Sequence, residues 1–226
     1  MQFGKLSLLA IVSCVAVAAT SWAATPQRLR GTVESANSNS LTIKTADGKD
    51  VDVLLDTGTK YAALTKASLK DVTKGAYVGT ATKGTSNVSL ELVIFPPSMR
   101  GTGDGHYPWD KITDTTASGG KRTKSAMTNG SVGNVSSAAP KVKSAMTNGN
   151  VDAASTTSGS KKITVTYQGG KQEITIPATA PIVAIEPSDA SIVKQGAHVF
   201  VKATAENGKL TAQSVAVGEN GLTPPM

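Results

Sequence analysis

Asp104, His106 and Asp110 fall within seven positions of one another, inside the stretch "MRGTGDGHYPWD" at 99–110. An imidazole set among carboxylates is the donor set of a metal site, and proton-transfer catalysis draws on the same groups. Arg100, Tyr107 and Trp109 share the stretch, so it also offers a cation and two large aromatic faces. Arg100, Asp104, His106, Tyr107, Trp109 and Asp110 are therefore the candidate residues for binding a ligand or a partner. A usable metal centre needs three or four ligands in a workable geometry, and the alternating acids of a calcium loop are missing. No metal and no cofactor are assigned.

Other chemistries find less support. The glycines of "GTGDGH" would cradle a phosphate only ahead of a helix, and Pro108 stands against a helix there. Nucleophilic catalysis needs a nucleophile, a base and an orienting group. Cys14 is the one cysteine, and no serine lies in a nucleophile-elbow pattern. His198, in "GAHVFV", reads as part of a strand. No catalytic residue is assigned.

Near the N-terminus Lys5 precedes an apolar run, then comes Ser21-Trp22-Ala23 in a small-x-small pattern. Residues 1–23 thus read as a secretory signal peptide cut near Ala23, with Cys14 as an alternative lipobox cysteine. The run is short for a membrane anchor, and no later stretch is long and apolar enough to span a bilayer. The expected location is the periplasm or the exterior, with no integral membrane segment after cleavage. The mature chain would have no cysteine, hence no disulfide, and must be stable on its own core. Its formal charge drops from +7 to +6 with the loss of Lys5. Scattered lysines suit solubility first and an anionic surface second.

Residues 28–97 contain short runs rich in Val, Thr, Leu and Ile that alternate with period two, as half-buried strands do. Leu41 and Ile43 alternate with Thr42 and Lys44, and Leu90, Leu92 and Ile94 with Ser89 and Glu91. Asp47-Gly48 reads as a two-residue hairpin turn, and "ASLKDVTKG" as a helical turn ending at Gly75. Residues 149–218 repeat this order. "GNVDAAS" answers "GTVESAN", "KITVTYQGGKQEITI" answers "SLTIKTADGKDVDVL", and "GAHVFV" answers "GAYVGT". Each unit has the size and strand pattern of a small OB-like antiparallel barrel.

The expected fold is all-β: two tandem OB-like barrels at 28–97 and 149–218 and a C-terminal tail at 219–226. A glycine- and aromatic-rich clasp at 98–112 and a flexible polar linker at 113–148 would join the barrels. "KSAMTNG" occurs twice, at 124–130 and 143–149. The second copy would lead into the second unit and the first would be a spare in the linker, with a strand of its own as the alternative. Nucleic-acid-binding barrels display clustered aromatics for base stacking. The seven aromatics left after Phe3 and Trp22 are scattered in sequence, so nucleic acid is not an expected partner.

The segments "GTVESANSNSLTIKTADGK", "ASLKDVTKGAYVG", "ELVIFPPSMRGTGDGHYPWD", "SAMTNGNV", "APIVAIEPSD" and "VGENGLTPPM" together resemble a family of small exported bacterial proteins of unknown function. That family has OB-like barrel domains, and some members are labelled automatically as metal ABC transporter permeases. A permease needs several spanning helices, which this chain lacks in its expected mature form. One copy of "KSAMTNG" is usual in the family, so the duplication departs from it. The resemblance implies a fold and an exported address, and no activity.

The expected function is a non-enzymatic exported binding or accessory protein of the cell envelope. Its partner would be an envelope protein or an anionic surface. A metal-handling accessory built around His106 is the alternative, and an enzyme acting on an envelope polymer comes third.

Overall fold

The computed structural model describes residues 25–84, 86–116, 119–137 and 159–225. It is all-β, with fifteen strands and single turns of 3₁₀ helix among those residues. The strands are β1 (Thr25–Ala36), β2 (Ser40–Thr45), β3 (Asp50–Leu54), β4 (Lys60–Lys66), β5 (Tyr77–Lys83), β6 (Ser89–Phe95), β7 (Gly105–Pro108) and β8 (Ile112–Thr113). They continue as β9 (Arg122–Thr123), β10 (Ser125–Ser137), β11 (Lys161–Tyr167), β12 (Gly170–Ile176), β13 (Ile182–Ser188), β14 (His198–Glu206) and β15 (Lys209–Gly218). No helix among the described residues is long and apolar enough to cross a membrane.

Alternation sets the faces. Leu41 and Ile43 of β2 are fully buried, as are Ile163 and Val165 of β11 and Ile174 and Ile176 of β12, while the residues between them are not. Two of the four 3₁₀ turns among the described residues, Leu69–Asp71 and Ala190–Ile192, are capped by Ser68 and Asp189. Each turn leads to a glycine in the left-handed region, Gly75 (φ +87°) and Gly196 (φ +82°), ahead of β5 and β14. The hairpin at Asp47-Gly48 is wider than two residues. Thr45 N–H donates to the Lys49 carbonyl, and only Gly48 takes a positive φ, +80°.

One mixed sheet runs in the order β12-β11-β10-β5-β6-β13-β4-β15-β14-β1-β2-β3, with β7 added on β10. This order reads the same from either end when β1–β3 exchange with β10–β12, β4 with β13, and β5–β6 with β14–β15. The antiparallel pair β4–β13, with Leu64 opposite Ile185, lies at its centre. Two rings result. The first is β1-β2-β3-β15-β14, closed where Leu54 pairs with Thr211 and where β14 pairs with β1. The second is β10-β11-β12-β6-β5, closed by the Val88–Thr175 bridge and the β5–β10 ladder.

Each ring therefore takes three strands from one half of the chain and two from the other. Strands of 28–97 do not close on one another, as the sequence leads one to expect. The crossing strands β4 and β13 carry the chain from one ring to the other. The cores record the exchange. Val33, Leu41, Ile43 and Val53 pack with Val199, Val201 and Val215 in one. Val72, Val78 and Leu92 pack with Val132, Ile163, Val165 and Ile174 in the other. Small halves bury too little apolar surface alone, and interleaving places each core between both.

The expected linker at 113–148 is in part a strand. β10 lies inside the sheet, bonded to β5 and β7 along its first half and to β11 along its second. Its small polar residues conceal it in the sequence, and the ladders hold it. Gly130-Ser131-Val132 stands where Gly31-Thr32-Val33 stands in the other half. Gly75 N–H donates to the Val132 carbonyl at 2.8 Å, and Gly196 N–H to the Val33 carbonyl at 2.9 Å. The strand expected at "GNVDAAS", and the second "KSAMTNG", lie outside the described residues.

Candidate functional site

The stretch 99–110 bridges the two rings. After the 3₁₀ turn Pro97–Met99, Gly101 and Gly103 take positive φ, and Gly103 lets the backbone pass close to Asn129 and Tyr107. β7 then pairs with β10, His106 opposite Thr128 and Tyr107 opposite Met127. Beyond it, Asp110 accepts from Arg28 Nη1 and from Arg30 Nη2, both at 2.9 Å. One end of the segment is thus bound to the second ring and the other to β1 of the first.

The candidate residues do not converge. Arg100 donates to the Ser131 hydroxyl and to the Gly75 carbonyl, both at 2.7 Å, rather than pairing with Asp104 or Asp110. Asp104 accepts from the Tyr77 hydroxyl (3.3 Å) and from Gln168 N–H (2.8 Å). His106 Nδ1 is hydrogen-bonded to the Thr128 hydroxyl at 2.8 Å, and its ring stacks on Tyr167. Asp110 faces the two arginines. Among the described residues no group of three or more His, Cys, Asp or Glu side chains stands together. The metal geometry suggested by the spacing of Asp104, His106 and Asp110 is not formed: Asp104 precedes β7 and is held by Tyr77 and Gln168, His106 is bound to Thr128, and Asp110 lies beyond the strand and is held by Arg28 and Arg30.

Tyr107 and Trp109 do share a site. They line a cleft of about 990 Å³ with Tyr61, Phe95 and Phe200. Five of the seven aromatics in 24–226 meet there, although they come from four separate stretches of the sequence. Arg28, Lys60 and Lys202 bring positive charge to the cleft, and Asp56 a negative one. Met99, Met127 and Ile185 supply apolar wall. The floor is the central part of the sheet, where Leu64, Val93, Val183 and Ala216 pack beneath Phe95, Met99 and Trp109.

Three polar atoms of cleft residues are buried with no hydrogen-bond partner among the described residues: Arg28 Nε, Trp109 Nε1 and Asn129 Oδ1. Asn129 is 6% exposed, and its Nδ2 donates to the Thr102 carbonyl. A buried polar atom left unpaired is costly and marks either stored strain or a place for a bound group. Burial raises the Tyr107 and Tyr61 hydroxyls above their ordinary range. Tyr77, outside the cleft, rises to about 12 through burial first and the Asp104 carboxylate second.

Arg28, Tyr61, Phe95, Asn129 and Phe200 are the site residues that sequence reading missed. The one usable signal was scarcity. In a chain so poor in aromatics, those present are expected to do a shared task. Comparison of the chain with protein-family models, curated proteins and solved structures returns no match.

Proposed function

We propose that this chain is a non-enzymatic exported binding protein of the cell envelope, with the cleft between its two rings as the ligand site. The observation that carries the reading is the gathering of five scarce aromatics with three unpaired buried polar atoms in one cleft. Aromatic faces beside a few fixed polar groups are the usual make-up of a binding pocket. The strand order β1-β2-β3-β15-β14, repeated as β10-β11-β12-β6-β5, supports reading each ring as OB-like. The signal-like residues 1–23 supply the exported address.

The ligand class that fits is an oligosaccharide carrying acidic groups. Sugar rings present apolar faces to aromatics and hydroxyls to amides, and Arg28, Lys60 and Lys202 favour an anion over a neutral chain. The test is a titration of the mature protein with acidic and neutral oligosaccharides, following the emission of Trp109. Saturable binding of acidic chains, weakened about tenfold by Lys60→Ala with Lys202→Ala, supports the reading. No saturable change with any of them overturns it.

A further inference from the structure

Two hairpins of this fold set lysine against acid. In β2–β3, Lys44 meets Asp50 and Lys49 meets Asp47, and across β11–β12 Lys162 meets Glu173. The small hairpin β8–β9 does the opposite. Ile112 stands opposite Thr123 and Thr113 opposite Arg122, and the same register carried one residue further sets Lys111 against Lys124. At the far end Asp114 N–H donates to the Lys121 carbonyl. Alternation then sorts the side chains. Ile112 and Asp114 are buried, while Lys111, Thr113, Arg122 and Lys124 are exposed, as is Lys121. The outer face is therefore three cations and a threonine. Like charges facing each other across a ladder repel, so this face disfavours its own hairpin.

The acids nearby do not offset it. Asp110 is held by Arg28 and Arg30, and the buried Asp114 by Lys83. Glu91 of β6, opposite Ala81, is buried. Arg122 Nε donates to the Lys111 carbonyl, a neutral partner, at 3.1 Å. Among the described residues no ion pair joins Lys111, Lys121 or Lys124 to an acid. Lysines that are scattered along the sequence thus gather, unmatched, on one small surface.

That surface adjoins the cleft. Trp109 N–H donates to the Ser125 carbonyl, and the Ser125 hydroxyl to the Asp110 carbonyl, where the strands leave the cleft wall for the hairpin. Tyr107 and Trp109 on one side, and Met127 on the other, line the cleft. Ile112 packs on Ala81, Leu90 and Met127. Ala81 lies two places from the cleft residue Gly79, so the two share a face of β5. The inner side of the hairpin thus rests on the sheet surface that floors the cleft, and its outer side is turned to solvent. At a rise of about 3.4 Å per residue, Asp114 and the facing Lys121 lie at most about 17 Å from Trp109. We infer that the ligand of the cleft is a polymer, an acidic polysaccharide whose chain leaves the cleft past Trp109 and lies along the outer face of β8–β9, its acidic groups against Lys111, Arg122 and Lys124. This rests on the reading of the cleft as a site for acidic sugars, and adds what holds the chain beyond it. An anionic lipid surface fits less well, since membrane-surface segments present apolar side chains to the bilayer and Ile112 is turned inward.

The test compares chain lengths. Dissociation constants of the mature protein are measured through Trp109 emission for the dimer and for a long oligomer of galacturonic acid, with a glucose oligomer of equal length as the neutral control. The long acidic chain is expected to bind about tenfold tighter than the dimer, the gain that a few screened charges on a linked site supply. Changing Lys111→Gln, Lys121→Gln and Lys124→Gln together should bring that ratio close to one. The matching Lys→Arg triple variant should keep it, which separates lost charge from a disturbed hairpin. Equal affinity for dimer and long chain in the parent, or an advantage that survives in the glutamine variant, overturns the inference and leaves the cleft reading standing. No saturable binding of either acidic oligomer overturns both. If phosphatidylglycerol vesicles bind the parent and not the glutamine variant, while the long oligomer gains nothing over the dimer, the face belongs to lipid and the inference falls.

Discussion

The Arg28 guanidinium lies 3.8 Å from the centre of the Trp109 ring, over its face, while Nη1 of the same group holds Asp110. One side chain of β1 thereby fixes two neighbouring residues of the segment that is paired, a few positions earlier, to β10. The segment touches both rings, through Arg28 of β1 and through β10, and Tyr107 and Trp109 line the cleft.

Trp109→Ala is expected to lower the melting temperature clearly. The ring is half-buried and packs on the central core and beside Tyr107. A loss of about 2 kcal/mol follows, below the cost of truncating a fully buried tryptophan. His106→Ala removes one hydrogen bond and a stacking contact and should cost about 1 kcal/mol. Thermal melts of the two variants decide the order. A tryptophan freely quenched in solution would contradict it.

Asp110→Asn leaves Arg28 and Arg30 facing an amide in place of a carboxylate. Both ion pairs are about a quarter to a third exposed, so screening limits the loss to about 1 kcal/mol. The parent should lose stability with added salt more steeply than the variant. Equal salt dependence in the two would show that the triad contributes no net attraction.

Gly31→Ala is expected to destabilise by about 1–3 kcal/mol, because its Cβ would meet the Lys44 carbonyl oxygen at 2.1 Å and force β1 away from β2. Gly133→Ala, whose Cβ would meet Thr166 Oγ1 at 3.6 Å and the Thr164 carbonyl oxygen at 3.7 Å in ordinary contact, is expected to be nearly neutral. At Gly130 the Cβ would meet the Thr166 carbonyl oxygen at 2.3 Å. Gly130→Ala should therefore cost a similar amount to Gly31→Ala. Chemical denaturation of the three variants checks the series.

Alkaline stability should carry the signature of Tyr77. Its hydroxyl, raised from 10.0 to about 12 by burial and by Asp104, stays protonated in the fold after the unfolded chain would have ionised. The folded value lies above the unfolded one. The contribution is therefore fully present below about pH 10 and is lost as the pH rises through about 12. Tyr77→Phe is expected to remove that slope. Tyrosinate absorbance followed alongside unfolding measures it, and ionisation of Tyr77 near pH 10 in the folded protein would refute it.

Several features were legible in the chain by itself, for local reasons. Period-two alternation at Leu41 and Ile43, and at Ile163 and Val165, states which face of a strand is buried, and the structure is all-β. Gly75 and Gly196 mark positions where the backbone needs positive φ, and Ser68 caps a turn that its own spacing to Asp71 announces. β10 was legible only as the alternative to a linker. Its serines, threonines and asparagines carry little apolar signal, and ladders to three other strands supply what the side chains do not. The interleaving of the halves was hidden for a deeper reason. Similar strand sequences have similar edges and faces, so β1 can pair as well with a strand like β14 as with one like β5. Chain connectivity through β4 and β13 decides between them. That decision brings Tyr61, Phe95, Trp109 and Phe200 to one cleft, and it separates Asp104, His106 and Asp110, which the sequence had placed side by side.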